Sequence, residues 1–148
     1  MRTLAIDLGS RRVGLALSDE GGRFATPYEV VQVTSPDQAT QRVLDVIRTE
    51  GVQRVVLGLP LNMDDSLGPA ARQAVAWGRA LAERSSTPVL FVDERLSSFD
   101  AEQSILARKR GGEKITRKRK KQQLDAVAAA GFLQSFLDGK LPPVEVID

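Results

Sequence analysis

The stretch Thr3-Leu4-Ala5-Ile6-Asp7-Leu8-Gly9-Ser10-Arg11-Arg12-Val13-Gly14-Leu15-Ala16-Leu17-Ser18-Asp19 decides how this chain is read. Two apolar runs of strand length, 3–8 and 12–18, flank a Gly-Ser-Arg-Arg turn, which is the pattern of a β-hairpin. Asp7 stands inside the first run. A carboxylate taken out of water there costs several kcal/mol, roughly, unless a metal ion, a backbone amide or an arginine of the turn compensates it. A sheet that places Asp at such a position is building a site.

Working outward, residues 24–33 form a third strand-like run, and Pro27 confines it to a sheet edge. Ser35-Pro36-Asp37-Gln38 carries a helix start: an N-cap serine, a proline at the first helical position and a glutamine that closes a capping box. Ala39, Val43, Val46 and Ile47 keep helical spacing, and Gly51 ends the helix. Residues 54–59 read as a short buried strand. A polar loop from Pro60 to Ser66 leads into an Ala-rich helix over about 69–84, with Ala70, Ala74, Trp77 and Leu81 on one face. Residues 88–92 are another buried strand, running into Asp93-Glu94-Arg95. Ser97 or Ser98 is placed to cap a helix reaching about 107, and the basic, glycine-containing stretch 108–117 reads as a mobile loop. A final helix covers about 118–137, with Leu124, Val127, Ala128, Gly131 and Phe132 on one stripe, before a short tail from Pro142-Pro143. This order predicts one α/β domain over residues 1–148, a mixed five-stranded sheet flanked by helices. Its first three strands form an antiparallel meander, and the later ones are parallel with helical crossovers.

Composition narrows the chemistry. With 148 residues, 42% of them hydrophobic, the chain can bury a proper core as a single domain. It has no cysteine and no histidine, which excludes disulfides, histidine general bases, His-ligated zinc and thiolate metals. Any metal is then a hard ion held by oxygen ligands: magnesium, manganese or calcium. Asp7 interrupts the first apolar run, so no signal peptide is expected, and no stretch approaches the roughly 18 apolar residues of a membrane helix. The expected location is the cytoplasm, with no membrane partner. The net charge of +2 hides an asymmetry: residues 108–121 carry nine Lys/Arg and one Glu, leaving twelve basic against eighteen acidic residues elsewhere. An acidic body with one concentrated basic segment suits a polyanion, although a solvated loop has the same composition.

Three carboxylates are candidates for one site. Asp7 lies late in the first strand, Glu94 just past the last strand, and Asp125 on the final helix beside its apolar stripe. If that helix packs across the first strand, the three converge near the carboxyl ends of the parallel strands, where α/β sheets gather their sites. Acids so close cannot all remain ionised without cations between them. One or two magnesium or manganese ions would resolve the repulsion and support phosphodiester cleavage. Each residue also has a plain alternative. Asp7 could accept bonds from its own turn, Glu94 could pair with Arg95 or cap a helix, and Asp125 could be a surface partner of Lys121 four residues earlier.

Four segments together carry a resemblance: residues 5–14 (Ala5 to Gly14), 58–64 (Gly-Leu-Pro-Leu-Asn-Met-Asp), 92–97 (Val-Asp-Glu-Arg-Leu-Ser) and 124–129 (Leu-Asp-Ala-Val-Ala-Ala). Their content and order resemble the YqgF/RuvX family of bacterial Holliday-junction-resolvase-like proteins, also described as nucleases for the precursor of 16S ribosomal RNA. The resemblance implies a ribonuclease-H-like fold and a metal-dependent nuclease using Mg2+ or Mn2+ on structured RNA or branched DNA. Asp7, Glu94 and Asp125 then correspond to the catalytic, metal-holding acids, and Asn62 lies near the substrate rim. Junction resolvases of this fold carry a second carboxylate one helical turn beyond the helix Asp; here that position is Ala128, which leaves three acids. Strand alternation turns Asp93 to the other face.

Arg11 and Arg12, on the turn beside Asp7, are placed to clamp a scissile phosphate, or else lie exposed at a hairpin tip. Arg95, Lys114, Arg117, Lys118 and Lys121 complete the candidate nucleic-acid contacts, which would grip phosphates without reading bases. The scarcity of aromatics, 5%, argues against a single-strand stacking platform. The nuclease is expected as a monomer or homodimer. Two other functions fit parts of the sequence: a non-catalytic nucleic-acid-binding factor in transcription or ribosome maturation, and a phosphotransferase. The latter rests on Asp-Leu-Gly-Ser with Gly14, which also resembles the phosphate loop of actin-like ATPases, but those need two such domains.

Overall fold

The computed structural model describes residues 1–96 and 117–146, with the side chains of 96 and 117–124 outside that description. Strands β1 (Thr3–Leu8), β2 (Arg12–Ser18) and β3 (Ala25–Gln32) form the antiparallel meander. Helix α1 (Pro36–Glu50) leads to β4 (Arg54–Leu59), and α2 (Pro69–Ser85) to β5 (Val89–Asp93), both strands parallel to β1. A single 3-10 turn, Glu94–Leu96, follows, and α3 (Arg117–Leu137) is the last helix. The sheet order is β3-β2-β1-β4-β5. The expected helix after Ser97 or Ser98 and the expected mobile loop at 108–117 fall almost wholly outside the described residues.

Local signals explain most element ends. The Ser35 hydroxyl accepts from the Gln38 amide at 3.4 Å, and the Gln38 side chain reaches back to the Thr34 amide at 2.6 Å, one residue earlier than a standard capping box. Gly51 closes α1 in the left-handed conformation at φ 64°. Pro27 does sit on the edge strand, and the pairing slips between Leu15 and Ala16, so that Tyr28 is the extra residue of a bulge. The tail from 142 is more than an appendix: Val144 donates to the Phe91 carbonyl at 2.7 Å and covers the β5 edge.

The two sheet faces are built differently. On one, Leu4, Ile6, Val13, Leu15, Val55, Leu57 and Leu59 pack under α1 and α2. On the other, small residues such as Ala5 and Ala16 meet Phe132 and Leu133 of α3. Full burial of those two side chains contributes roughly 1.5–3 kcal/mol each. Because side chains alternate along a strand, Asp7 shares the α3 face with Ala5. The apolar face of α2 is rotated from the expected one: Ala71, Ala74, Val75, Gly78 and Leu81 are buried, while Ala70 is exposed and Trp77 half-buried. Alanines on both sides of that helix leave its phase undetermined until the sheet selects one. On α3, Val127 and Phe132 are buried as expected, Ala128 and Gly131 only half so, and Ala126, Ala129, Ala130 and Leu133 complete the buried face.

Candidate active site

Asp7 and Glu94 form the centre of the site. Asp7 is half-buried near the carboxyl end of β1, and Glu94 opens the turn at the end of β5. Their carboxyl groups are hydrogen-bonded to one another. Burial, then the charge and hydrogen bond of Glu94, then the charge of Asp125 push the Asp7 carboxyl from 3.8 up to about 8. Burial also raises Glu94, the Asp7 hydrogen bond opposes that rise, and the charge of Asp93 adds to it. At neutral pH the protein therefore keeps a proton where two carboxylates would otherwise repel.

Asp125 reaches this pair because two strand glycines make room. Gly14 is the cross-strand partner of Asp7. A Cβ there would overlap the Asp125 carbonyl group, so the α3 backbone lies directly on β2 at this point. In β4, a Cβ on Gly58 would stand 3.0 Å from both the Glu94 Cβ and the Phe132 ring. Neither glycine announces this role through a motif of its own. A lone glycine within a Val/Leu-rich strand, the usual mark of close backbone approach, is the signal that could have found both.

Arg12 closes the fourth side. Its Nε donates to Asp125 Oδ2 at 2.8 Å, with the two side chains 36% and 26% exposed. The turn that carries it is tied down by Gly9 N to Arg12 O at 3.0 Å. Arg11 is exposed, and its carbonyl accepts from Val33 at 2.9 Å. Of the two arginines expected either at a phosphate or exposed at the hairpin tip, Arg11 is exposed and the Arg12 guanidinium faces a carboxylate of the site.

Asn62 and Arg95 belong to an adjoining clamp. Arg95 donates to Asp93 through Nε (2.9 Å) and Nη2 (2.7 Å), to the Asn62 carbonyl and to Asp65. This pairing, chiefly the Arg95 side-chain hydrogen bond, holds Asp93 below the usual carboxylate range. Asn62 itself braces the loop through its Nδ2, 3.0 Å from Ser66 Oγ. Arg95→Ala is expected to loosen this loop, with faster amide exchange over 62–66, because Asp93, Asp65 and the Asn62 carbonyl lose their shared donor. Hydrogen exchange that stays slow in the variant would show that the loop holds itself. Lys114 lies outside the described residues, as do the side chains of Arg117, Lys118 and Lys121, whose backbones begin α3.

The donor chemistry fits a hard divalent cation. Asp7, Glu94 and Asp125 offer only oxygen, and after burial it is the nearness of the other two acids that raises the Asp7 carboxyl. Among the described residues, however, no three acids are already gathered as a metal cage. Asp125 is instead engaged with Arg12.

A family model described as "RuvX: Holliday junction resolvase" matches residues 1–139. The chain belongs to the RuvX family. A relative from Acidiphilium cryptum (strain JF-5), named "Putative pre-16S rRNA nuclease", is 39% identical over 93% of this chain and 84% of its own length. One of the same name from Trichormus variabilis (strain ATCC 29413 / PCC 7937) is 42% identical, over 91% of this chain and 86% of its own. Among solved structures, Thermus thermophilus RuvC superposes with a TM-score of 0.61 at 20% identity, covering 97% of this chain and 100% of that one. The fowlpox virus resolvase, solved with Holliday junction DNA, gives 0.55 at 11% identity, covering 94% and 98%. At such identities the likeness is one of fold. It bears out the ribonuclease-H-like mixed sheet for this RuvX-family chain. No helix among its described residues is long and apolar enough to cross a membrane.

Proposed function

We propose that this protein is a metal-dependent nuclease that cleaves phosphodiester bonds in structured nucleic acid, with the 5′ end of pre-16S rRNA as its substrate. The observation that carries the reading is the Asp7–Glu94 carboxyl pair, with Asp125 beside it, on the α3 face of the sheet. The names of the relatives support RNA as the substrate. Asp7, Glu94 and Asp125 would hold Mg2+ or Mn2+. When bound, such an ion lowers the pKa of a water and stabilises the leaving oxygen. To hold the cation Asp7 would have to give up its proton, with Glu94 beside it offering a second carboxylate. Arg12, on Asp125, would meet a phosphate at this site, and Arg11 would join it from the same turn. Asn62 shapes the rim, and Arg95 keeps that rim in place.

The test is cleavage of a labelled structured RNA and a four-way DNA junction in parallel, with Mg2+, Mn2+ or chelator. RNA should be cut only with metal, and faster than the junction. Faster cutting of the junction would make branched DNA the substrate. Tight, salt-sensitive binding without cutting in either metal would make the protein a binding factor.

The basic segment supports a backbone grip. Neutralising Lys118, Arg119, Lys120 and Lys121 together is expected to weaken RNA binding and to lower the salt slope by up to about three or four, near 0.7–0.9 for each phosphate no longer neutralised. A slope equal to that of the unaltered protein would remove the segment from the interface.

A further inference from the structure

Arg12 is a cation placed directly on a candidate metal ligand, Asp125. Its turn is pinned by backbone hydrogen bonds, and the Asp125 backbone is pinned against Gly14. Only the two side chains can rearrange. Their bond is monodentate, 2.8 Å long, with both groups partly in water. Such a partly exposed pair is weak, so exchanging it for another partner is easy. A guanidinium also binds a phosphate as readily as a carboxylate, through the same N–H fork.

We infer that Arg12 is an exchangeable stopper on Asp125: it occupies that carboxylate in the free protein and leaves it for a backbone phosphate when nucleic acid binds. Asp125 is then released to the cation only when substrate is present. This rests on the nuclease reading and adds an order of events to it. The site charge explains the benefit. With Arg12 in place, its positive charge offsets part of the Asp125 charge that bears on Asp7. With Arg12 moved to phosphate, Asp125 has lost that partner, and a divalent cation can take the place that the guanidinium left. Cation affinity and nucleic-acid affinity are thereby coupled, each raising the other, as linkage requires.

Two titrations with opposite expected signs test it. Mn2+ is titrated calorimetrically into the free protein and into Arg12→Ala, without nucleic acid. The variant should bind Mn2+ roughly fivefold more tightly or better, because the competing charge is gone. In chelator, where nothing is cut, the same variant should bind an RNA hairpin several-fold more weakly. Asp125→Asn added to Arg12→Ala should erase the gain in Mn2+ affinity. Arg12→Gln, which keeps much of the stem, should repeat both shifts, and thermal melts check that each variant is folded. Unchanged or weaker Mn2+ binding in the folded variants overturns the exchange while leaving the nuclease reading intact. Absence of Mn2+ binding in every form, with RNA still bound, overturns both.

Discussion

Asp7→Asn is expected to lower cleavage on the order of 10³-fold or more while leaving nucleic-acid binding within about twofold, since the change removes a metal-holding charge and touches no phosphate grip. The same substitution should raise the stability of the metal-free protein at alkaline pH. The Asp7 carboxyl holds its proton up to about 8 in the folded state, against 3.8 as its ordinary value. Between those values the native state binds more protons than the unfolded one, so stability falls as pH rises from about 4 to about 8, then levels. Asparagine cannot ionise and escapes that loss. The gain at pH 8.5 is on the order of a few kcal/mol, visible as a higher melting temperature in chelator. A variant that loses cleavage and stability together would place Asp7 in the scaffold instead. In the unaltered protein, the proton released on metal loading should make Mn2+ affinity rise with pH until about 8, and calorimetry in two buffers would detect it.

Gly14→Ala should be the most damaging single methyl group in the molecule. Its Cβ would overlap the Asp125 carbonyl and come within 2.9 Å of the Ala126 amide, and neither is a flexible side-chain end that can swing aside. Helix α3 must lift from β2. That separates Asp125 from Asp7 and opens the packing of Ala129, Phe132 and Leu133 on the sheet. Loss of about 3 kcal/mol or more is expected, read as a lower urea midpoint, with cleavage lost even where the protein still folds. An unchanged midpoint would mean that α3 is not seated on Gly14 in solution. The contrast with Asp7→Asn is informative: one variant keeps the scaffold and loses the chemistry, the other loses the seat on which the chemistry depends.

How much of this was legible in the sequence depends on the range of the interaction concerned. The β1–β2 hairpin, the capped start of α1, the edge position of β3 and the two parallel strands follow from alternation, capping and proline chemistry. Those signals act within a few residues. Asp7 was legible for a related reason, since a charge inside an apolar strand conflicts with its neighbours and marks itself. The phase of α2 was not legible, because Ala70 and Ala71 are chemically alike and only contact with the sheet decides which faces inward. The tail on the β5 edge was not legible either, because an unpaired edge exists only once the sheet is assembled.

The site divides along the same line. Sequence by itself determined that the chain owns three acids of the right kind in the right order, that no histidine or thiolate can replace them, and that any ion they hold must be a hard one. Tertiary structure alone decided that Asp7 and Glu94 share a proton, that Gly14 and Gly58 are the spaces into which Asp125 and Glu94 fit, and that Arg12 meets Asp125 across 113 residues of chain. The physical reason is that a local pattern fixes which face of a strand or helix a side chain occupies. Which distant charge it then meets, and how deeply both are buried, is set only when α3 closes over the sheet.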